Sequence, residues 1–482
     1  YQANTDTILN EDFSFEKINE DLALGDHHST SLKIENGALH IKSNNPESFN
    51  QIFDFDHHKI RNYSQKLSNN IHIQFPLKIE KDKILKNIPN LINSVETVDD
   101  TFSMLAKSGL IEAYCRMIHF NPNIKYLKIN LNKHLIYCYS KSNECKSSSD
   151  VHSLLVDFMI PFYDGHSYVN DSKSKARAYK KGANASVLFI NKKCYITYSE
   201  DSILKKGDEI LKINNIKPYK LLINRESKTL GSVNSKRQQK ERYFLFNDSL
   251  ITNEMIYKRG IKKFKYETKF KSDYPVKPKI DTSKFIEEVS ENVFKINTYH
   301  CDEKSIIRLL NGNNNIKGII LDAREGIRIQ SYILRLFTSD TLNYPLVYIP
   351  LYYLPNQDSL SFKIVNQNVS LFGEKKKGDD ISVVLITDGS NISSNETFIS
   401  LAKQMKKCKV IGEASAGCNG MVSDFSTTGG FKLRITGSIV YKSDGSQLYN
   451  IGFKPDIKVN WSKKDLIKDI DPFIKKAIEV LQ

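Results

Sequence analysis

Two short stretches carry the residues best equipped for nucleophilic chemistry. In the first, an apolar run, Ile381-Ser382-Val383-Val384-Leu385-Ile386, leads into Thr387-Asp388-Gly389-Ser390-Asn391-Ile392-Ser393-Ser394-Asn395-Glu396. A buried strand that ends in a Gly/Asn-rich turn sets Ser393 at the start of a helix. Backbone N–H groups at a helix start can stabilise a developing oxyanion. The same Ser-x-x-Glu spacing is a capping box, in which the hydroxyl serves the helix instead of a substrate. Both readings stand at this point, and the two roles do not exclude each other. A serine hydroxyl is a poor nucleophile until a base takes its proton. The second stretch, Asp164-Gly165-His166-Ser167, offers His166 as that base directly after a helical segment. The plain alternative for one histidine among eleven is a surface turn.

The elements that position these residues follow from periodicity. Residues 1–80 read as β: Ser31–Ile34 and Ala38–Lys42 alternate around Asn36-Gly37, a hairpin signal, and 71–75 alternates again. Residues 81–175 turn helical, with Phe102, Leu105, Ala106, Leu110, Ala113, Tyr114 and Met117 on one face and a second helix over about 149–162. Residues 176–280 read as short strands, including a basic, alternating stretch over 255–279. From 285 onward apolar strands at 293–296, 318–322, 381–386 and 410–412 alternate with helices at 303–311 and 395–407, the pattern of an α/β layer with parallel pairing. Asp471 and Pro472 open a C-terminal helix.

Composition narrows the classes. The chain has 482 residues and a formal net charge of +15, with 40% hydrophobic and 26% charged residues, a balance typical of globular proteins. There is no apolar run of membrane-spanning length. The basic balance raises nucleic acid, but no zinc-finger spacing, RNP-like aromatic signature or recognition helix accompanies it, and no nucleic acid is expected. Seven cysteines, odd in number and never in CxxC spacing, imply neither a disulfide framework nor a zinc site, although Cys138 and Cys145 are close enough for one local bridge. Asp26-His27-His28 and Asp54-Phe55-Asp56-His57-His58 read as solvated loops, and no metal or cofactor is implied. A chain that starts at Tyr1 fits an exported protein whose leader has been removed.

Six motifs in order resemble the serine peptidase family of the C-terminal-processing peptidases and the tricorn core protease. Asp164-Gly165-His166-Ser167 is similar to the "DGHt" of the His-dependent branch, and Gly207-Asp208-Glu209-Ile210-Leu211-Lys212-Ile213-Asn214 to the "GDeIl-x-iNg" of a PDZ-like domain. Gly318–Arg324 is similar to "glilDlR", and Ser393-x-x-Glu396 to the nucleophile helix start. Val410–Gly417 is similar to "iiGE-x-T-x-G", and Gly452–Ile457 to "Gv-x-PDi". The resemblance implies a multidomain α+β chain in four parts. These are a β-sandwich-like accessory domain (1–80), a helical subdomain carrying His166 (81–175), a PDZ-like β domain (176–280) and an α/β core of crotonase-like ββα spiral carrying Ser393 (281–482). It also implies peptide-bond hydrolysis, with Ser393 as nucleophile, His166 as base, and an oxyanion hole from Ser394, Gly326 and Ile327. The substrate would be a peptide or protein.

One position selects the branch, and two stretches depart from the family. Cys418 stands where a Ser–Lys branch has its lysine, which leaves His166 as base. Tyr449-Asn450-Ile451-Gly452 replaces Glu-Asn-x-Gly, so Tyr449 is expected to point at His166 in place of the family's acid. Glu325-Gly326-Ile327-Arg328 replaces Asn-x-Gly-Gly beside the oxyanion hole. The alternative reading is a catalytically inactive, peptide-binding relative. A second alternative is a carbohydrate- or nucleic-acid-binding protein working through its N-terminal part or basic surface.

Overall fold

The computed structural model describes residues 8–9, 30–35, 38–43, 73–74, 101–171, 181–183, 185–200, 202–247, 253–268, 270–272, 285–351, 361–365, 371–372 and 381–482. The chain divides into two compact units, Tyr1–Thr97 and Val98–Gln482. In the first, Thr30–Glu35 and Ala38–Ser43 pair antiparallel, with Leu32 opposite Ile41, as the alternation predicts. Ile8–Leu9 and Ile73–Gln74 extend that sheet. The expected turn at Asn36-Gly37 and the two Asp/His loop clusters lie outside the described residues.

The second unit is mixed α+β. Its centre is a six-stranded sheet in which Val293–Asn297, Gly318–Asp322, Ser382–Thr387, Cys408–Gly412 and Ile457–Lys458 run parallel, with Ile286–Ser290 antiparallel at one edge. Alternate side chains of these strands enter two cores, which is why the strands read as continuous apolar runs. Ile296, Ile319, Leu321, Val383, Leu385 and Val410 pack with the helix Ser394–Ala402 on one face. Val293, Ile320, Val384, Ile386 and Ile411 meet Phe473 and Ala477 of the C-terminal helix Pro472–Leu481 on the other. Asp471 caps that helix, accepting from the Phe473 and Ile474 N–H groups.

Three helices, Thr101–Phe120, Leu131–Lys141 and Ser148–Met159, form a cluster with Phe431, Leu433 and Ile435. Those three residues belong to the strand Phe431–Thr436, which pairs antiparallel with Tyr168–Asp171. The pairing ties the segment that follows the histidine motif to a strand far later in the sequence. A five-stranded antiparallel sheet within 185–268 carries the expected turn–strand–turn: Glu209–Ile213 is the strand, and Asn214 and Asn215 both have positive φ. The basic stretch forms the hairpin Asn253–Arg259 and Lys262–Thr268.

Two expectations are corrected. Residues 176–280 are not strands alone, because helices Pro218–Glu226 and Val233–Arg242 pack within them. Cys138 and Cys145 are free thiols, buried in the helical cluster. Among the described residues no helix is long and apolar enough to cross a membrane.

Candidate active site

The strand Ser382–Thr387 ends at a turn stitched by short-range bonds. The Asn391 side chain accepts from the Asp388 N–H at 2.9 Å and donates to the Ala323 carbonyl at 2.7 Å. Ser390 donates to Asp388 at 2.6 Å. Burial pushes Asp388 up to about 6. This turn delivers Ser393 with φ 60° and ψ −120°, a positive φ on a residue that has a Cβ. Such a backbone costs ~1–3 kcal/mol and persists only where the surroundings enforce it. Here the Ser393 N–H donates to the Cys418 carbonyl at 2.9 Å, and the Ser393 carbonyl accepts from Glu396 at 2.8 Å.

Ser393 makes no side-chain cap bond, so the capping-box reading is corrected. Glu396 is fully buried and reaches the following loop. It accepts from Ser415 Oγ at 2.6 Å and from the Gly417 and Cys418 N–H groups at 2.7 Å each. Burial pushes its carboxyl up to about 7 against these donors. Its effect is to fix Cys418, which holds both the Ser393 backbone and the His166 ring.

His166 reaches the same place from the helical cluster. Gly165 packs so closely that an added Cβ would lie 2.8 Å from both Cys418 Cβ and Ile392 Cδ1. The His166 Nδ1 lies 2.9 Å from Thr436 Oγ1 and 3.2 Å from Cys418 Sγ. Burial lowers its pKa, with Asp164 opposing and Arg434 assisting that shift. Asp164 is 1% exposed and accepts four bonds. Thr436 gives its Oγ1–H and its N–H, both at 2.6 Å, the His166 N–H comes at 2.9 Å, and the Cys418 thiol at 3.1 Å. Asp164, His166 and Cys418 offer ligand atoms within 4.8 Å of one another, a set that a soft divalent metal accepts. Their protons, with those of Thr436, already satisfy the carboxylate.

Tyr449 does not stand in for the family's acid. It is buried, and its hydroxyl donates to the Phe162 carbonyl at 2.8 Å, just before the histidine motif. The groups on the imidazole are Thr436 and Cys418. Thr436 escaped sequence reasoning because no motif marks it. Its place follows from strand register: Arg434 pairs with Tyr168, and two further residues of the same register set Thr436 opposite His166. Among the expected oxyanion donors, Gly326 has φ 106° and its N–H donates to the Ala323 carbonyl at 2.9 Å, so it is spent in the turn. Among the described residues nothing accepts from the Ser394 or Ile327 N–H groups. The Gly326 turn lies against Asn395, two residues beyond Ser393.

One further element converges here. The helix Val233–Arg242 sets Asn234 against Gly389 and donates from the Asn234 side chain to the Ser415 carbonyl at 2.7 Å. Its Lys236, 5% exposed, sits over the Tyr163 ring at 4.5 Å. Burial lowers this ammonium to about 8.

Residues 292–459 match the family model of peptidase family S41. His166 precedes the matched segment. Among solved structures, mature CPAF complexed with lactacystin aligns with a TM-score of 0.64 at 13% identity, covering 79% of this chain and 98% of that one. Mature CPAF aligns at 0.62 and 13%, over 79% and 97%. At this identity the likeness establishes the fold. The photosystem II D1 C-terminal processing protease aligns at 0.39 and 10%, over 76% and 94%. No curated protein matches the sequence.

Proposed function

We propose that the chain is a serine peptidase working by a Ser–His mechanism. The observation that carries this reading is Ser393 itself. It sits in a strained, positive-φ turn between a buried strand and a helix, its hydroxyl is not spent on the cap, and Cys418 links its backbone to the His166 ring. A strand–turn–helix that pays strain to present a serine is the geometry of a nucleophile.

The chemistry runs in two halves. Ser393 Oγ attacks the peptide carbonyl while His166 Nε2 takes the hydroxyl proton. The carbonyl electrons move onto oxygen, where the Ser394 and Ile327 N–H groups receive them. The C–N bond then breaks and Nε2 returns the proton to the leaving amine. Water repeats the sequence on the acyl-enzyme. The crotonase-like and PDZ-like assignments of the core and of the 176–280 sheet, and export from the cell, belong to the same proposal. The test is labelling of the full chain by a fluorophosphonate, read by mass at Ser393, beside hydrolysis of an unfolded protein substrate. Labelling and hydrolysis that both vanish in Ser393→Ala support the reading. Absence of both in the wild type makes the chain a peptide-binding relative.

A further inference from the structure

We propose that Thr436 and Asp164 form a relay behind His166 that supplies the orientation and charge for which related sites use a directly bonded acid. The inference deepens the peptidase reading and rests on it for its catalytic part. Four distances carry it. His166 Nδ1 meets Thr436 Oγ1 at 2.9 Å, and Thr436 Oγ1 meets Asp164 Oδ1 at 2.6 Å. Asp164 Oδ2 accepts the Thr436 N–H at 2.6 Å, and Asp164 Oδ1 accepts the His166 N–H at 2.9 Å. The carboxylate thus grips both the backbone and the hydroxyl of one threonine, and the backbone of the histidine.

Proton counting gives the direction of the relay. A carboxylate only accepts, and a threonine hydroxyl has one proton. That proton goes to Asp164, so towards the imidazole Oγ1 acts as an acceptor. Nδ1 therefore carries its hydrogen, and the free lone pair is on Nε2. This is the tautomer a general base needs, and in a triad the acid sets it directly. Cys418 agrees with the count, because its thiol donates to Asp164 at 3.1 Å and presents sulfur, a weak acceptor, to Nδ1 at 3.2 Å. When Nε2 takes the serine proton, the cation gains Oγ1 at its other nitrogen and a carboxylate one hydroxyl further on. Asp164, Cys418 and Arg434 are the titratable and charged groups that act on the ring, and Tyr449 acts on the relay through Asp164 and Cys418. Thr436 and Asp164 are positioning residues, since neither touches substrate.

The relay is read without turnover by NMR of the full chain carrying ¹⁵N-labelled histidine rings, with His166 assigned by difference from His166→Gln. The expected state of neutral His166 is Nδ1–H with Nε2 bare. The Nε2–H tautomer overturns the proposal. In kinetics, Asp164→Asn removes the negative charge behind Thr436 and leaves the Thr436 N–H facing an amide nitrogen, so the relay loses its charge and one of its anchors. kcat falls about 10²–10³-fold with KM unchanged, short of the ~10⁴ seen for a directly bonded acid. Thr436→Val falls as far, Thr436→Ser recovers most of the loss, and the double variant Asp164→Asn/Thr436→Val is no worse than either alone. A purely structural Asp164 would lower the melting temperature while the tautomer and pH profile stayed as in the wild type, and that result also overturns the relay. If Asp164→Asn does not fold, the wild-type tautomer and the Thr436 pair decide. A wild type that neither hydrolyses nor labels, yet shows Nδ1–H, sinks the peptidase reading and leaves the relay standing.

Discussion

The backbone of Ser393 makes a stability prediction that separates strain from chemistry. At φ 60° and ψ −120° the Cβ is the source of the strain, and the hydroxyl makes no cap bond. Ser393→Ala therefore keeps the strain and loses no cap, so its stability stays within about 0.5 kcal/mol of the wild type, as for substitutions that remove no such feature. Ser393→Gly removes the Cβ and releases the ~1–3 kcal/mol held in such a conformation. Against this stands the extra freedom of glycine in the unfolded chain, about 0.5–1 kcal/mol. The difference leaves Ser393→Gly more stable than Ser393→Ala by roughly 1 kcal/mol, with an upper bound near ~2.5 kcal/mol. Denaturant midpoints of the two variants, both without the Ser393 hydroxyl, measure this directly. If Ser393→Gly unfolds below the midpoint of Ser393→Ala, the turn stores less strain than the about 1 kcal/mol that glycine's freedom offsets, and the main observation behind the proposed nucleophile is lost.

Other outcomes follow from the same geometry. Gly165→Ala needs a shift of several tenths of an ångström between the histidine loop and Cys418, and kcat/KM should fall about 10–100-fold, since ~1 Å misplacements cost ~10²; unchanged kinetics would mean the loops do not need this contact. Tyr449→Glu places a second carboxylate beside buried Asp164 and removes the bond to Phe162, so thermal melts should show destabilisation and hydrolysis should not rise. Burial favours neutral imidazole, the form that acts as base, so kcat/KM should rise with pH through a midpoint below the ordinary histidine value; a midpoint above 7 would contradict this. Glu396 has its folded pKa raised to about 7, so its contribution to stability is fully present below its unfolded pKa of ~4.5 and is lost as pH rises through about 7; melts of wild type and Glu396→Gln over that range should differ in slope. Chelators should leave hydrolysis unchanged, because the cluster at Asp164 satisfies its own hydrogen bonds.

The sequence exposed what is local and apolar. Ile319, Ile320, Leu321 and Val383–Ile386 read as buried strands because both of their faces meet a core, and the Ser393 and His166 motifs lie beside such segments. The helix Val233–Arg242 was illegible for the opposite reason. It carries no apolar stripe, and the residue it buries is Lys236, whose value lies in the Tyr163 ring it covers. Leu131–Lys141 carries only a short stripe, Leu131, Leu135 and Cys138, behind its cap, Asn130, which accepts from Lys133. Glu396 was visible, but its spacing pointed to Ser393 alone, whereas its carboxylate also serves Ser415, Gly417 and Cys418. Thr436 depends on a strand pairing between distant segments, and no local pattern encodes a partner on another strand.

The pairing of Tyr168–Asp171 with Phe431–Thr436 also sets a timetable. During synthesis the histidine loop leaves the ribosome long before Thr436 exists, and without Thr436 the acceptor at His166 Nδ1 is missing. Closing so long a loop is slow, because its entropy must be met before any of its contacts form. The nascent chain therefore carries Ser393 and His166 as separate, unaligned parts. On the peptidase reading, the pair aligns only once Phe431–Thr436 has joined Tyr168–Asp171, late in synthesis. On that reading, topology delays the alignment that would let a newly made molecule cut itself or its neighbours.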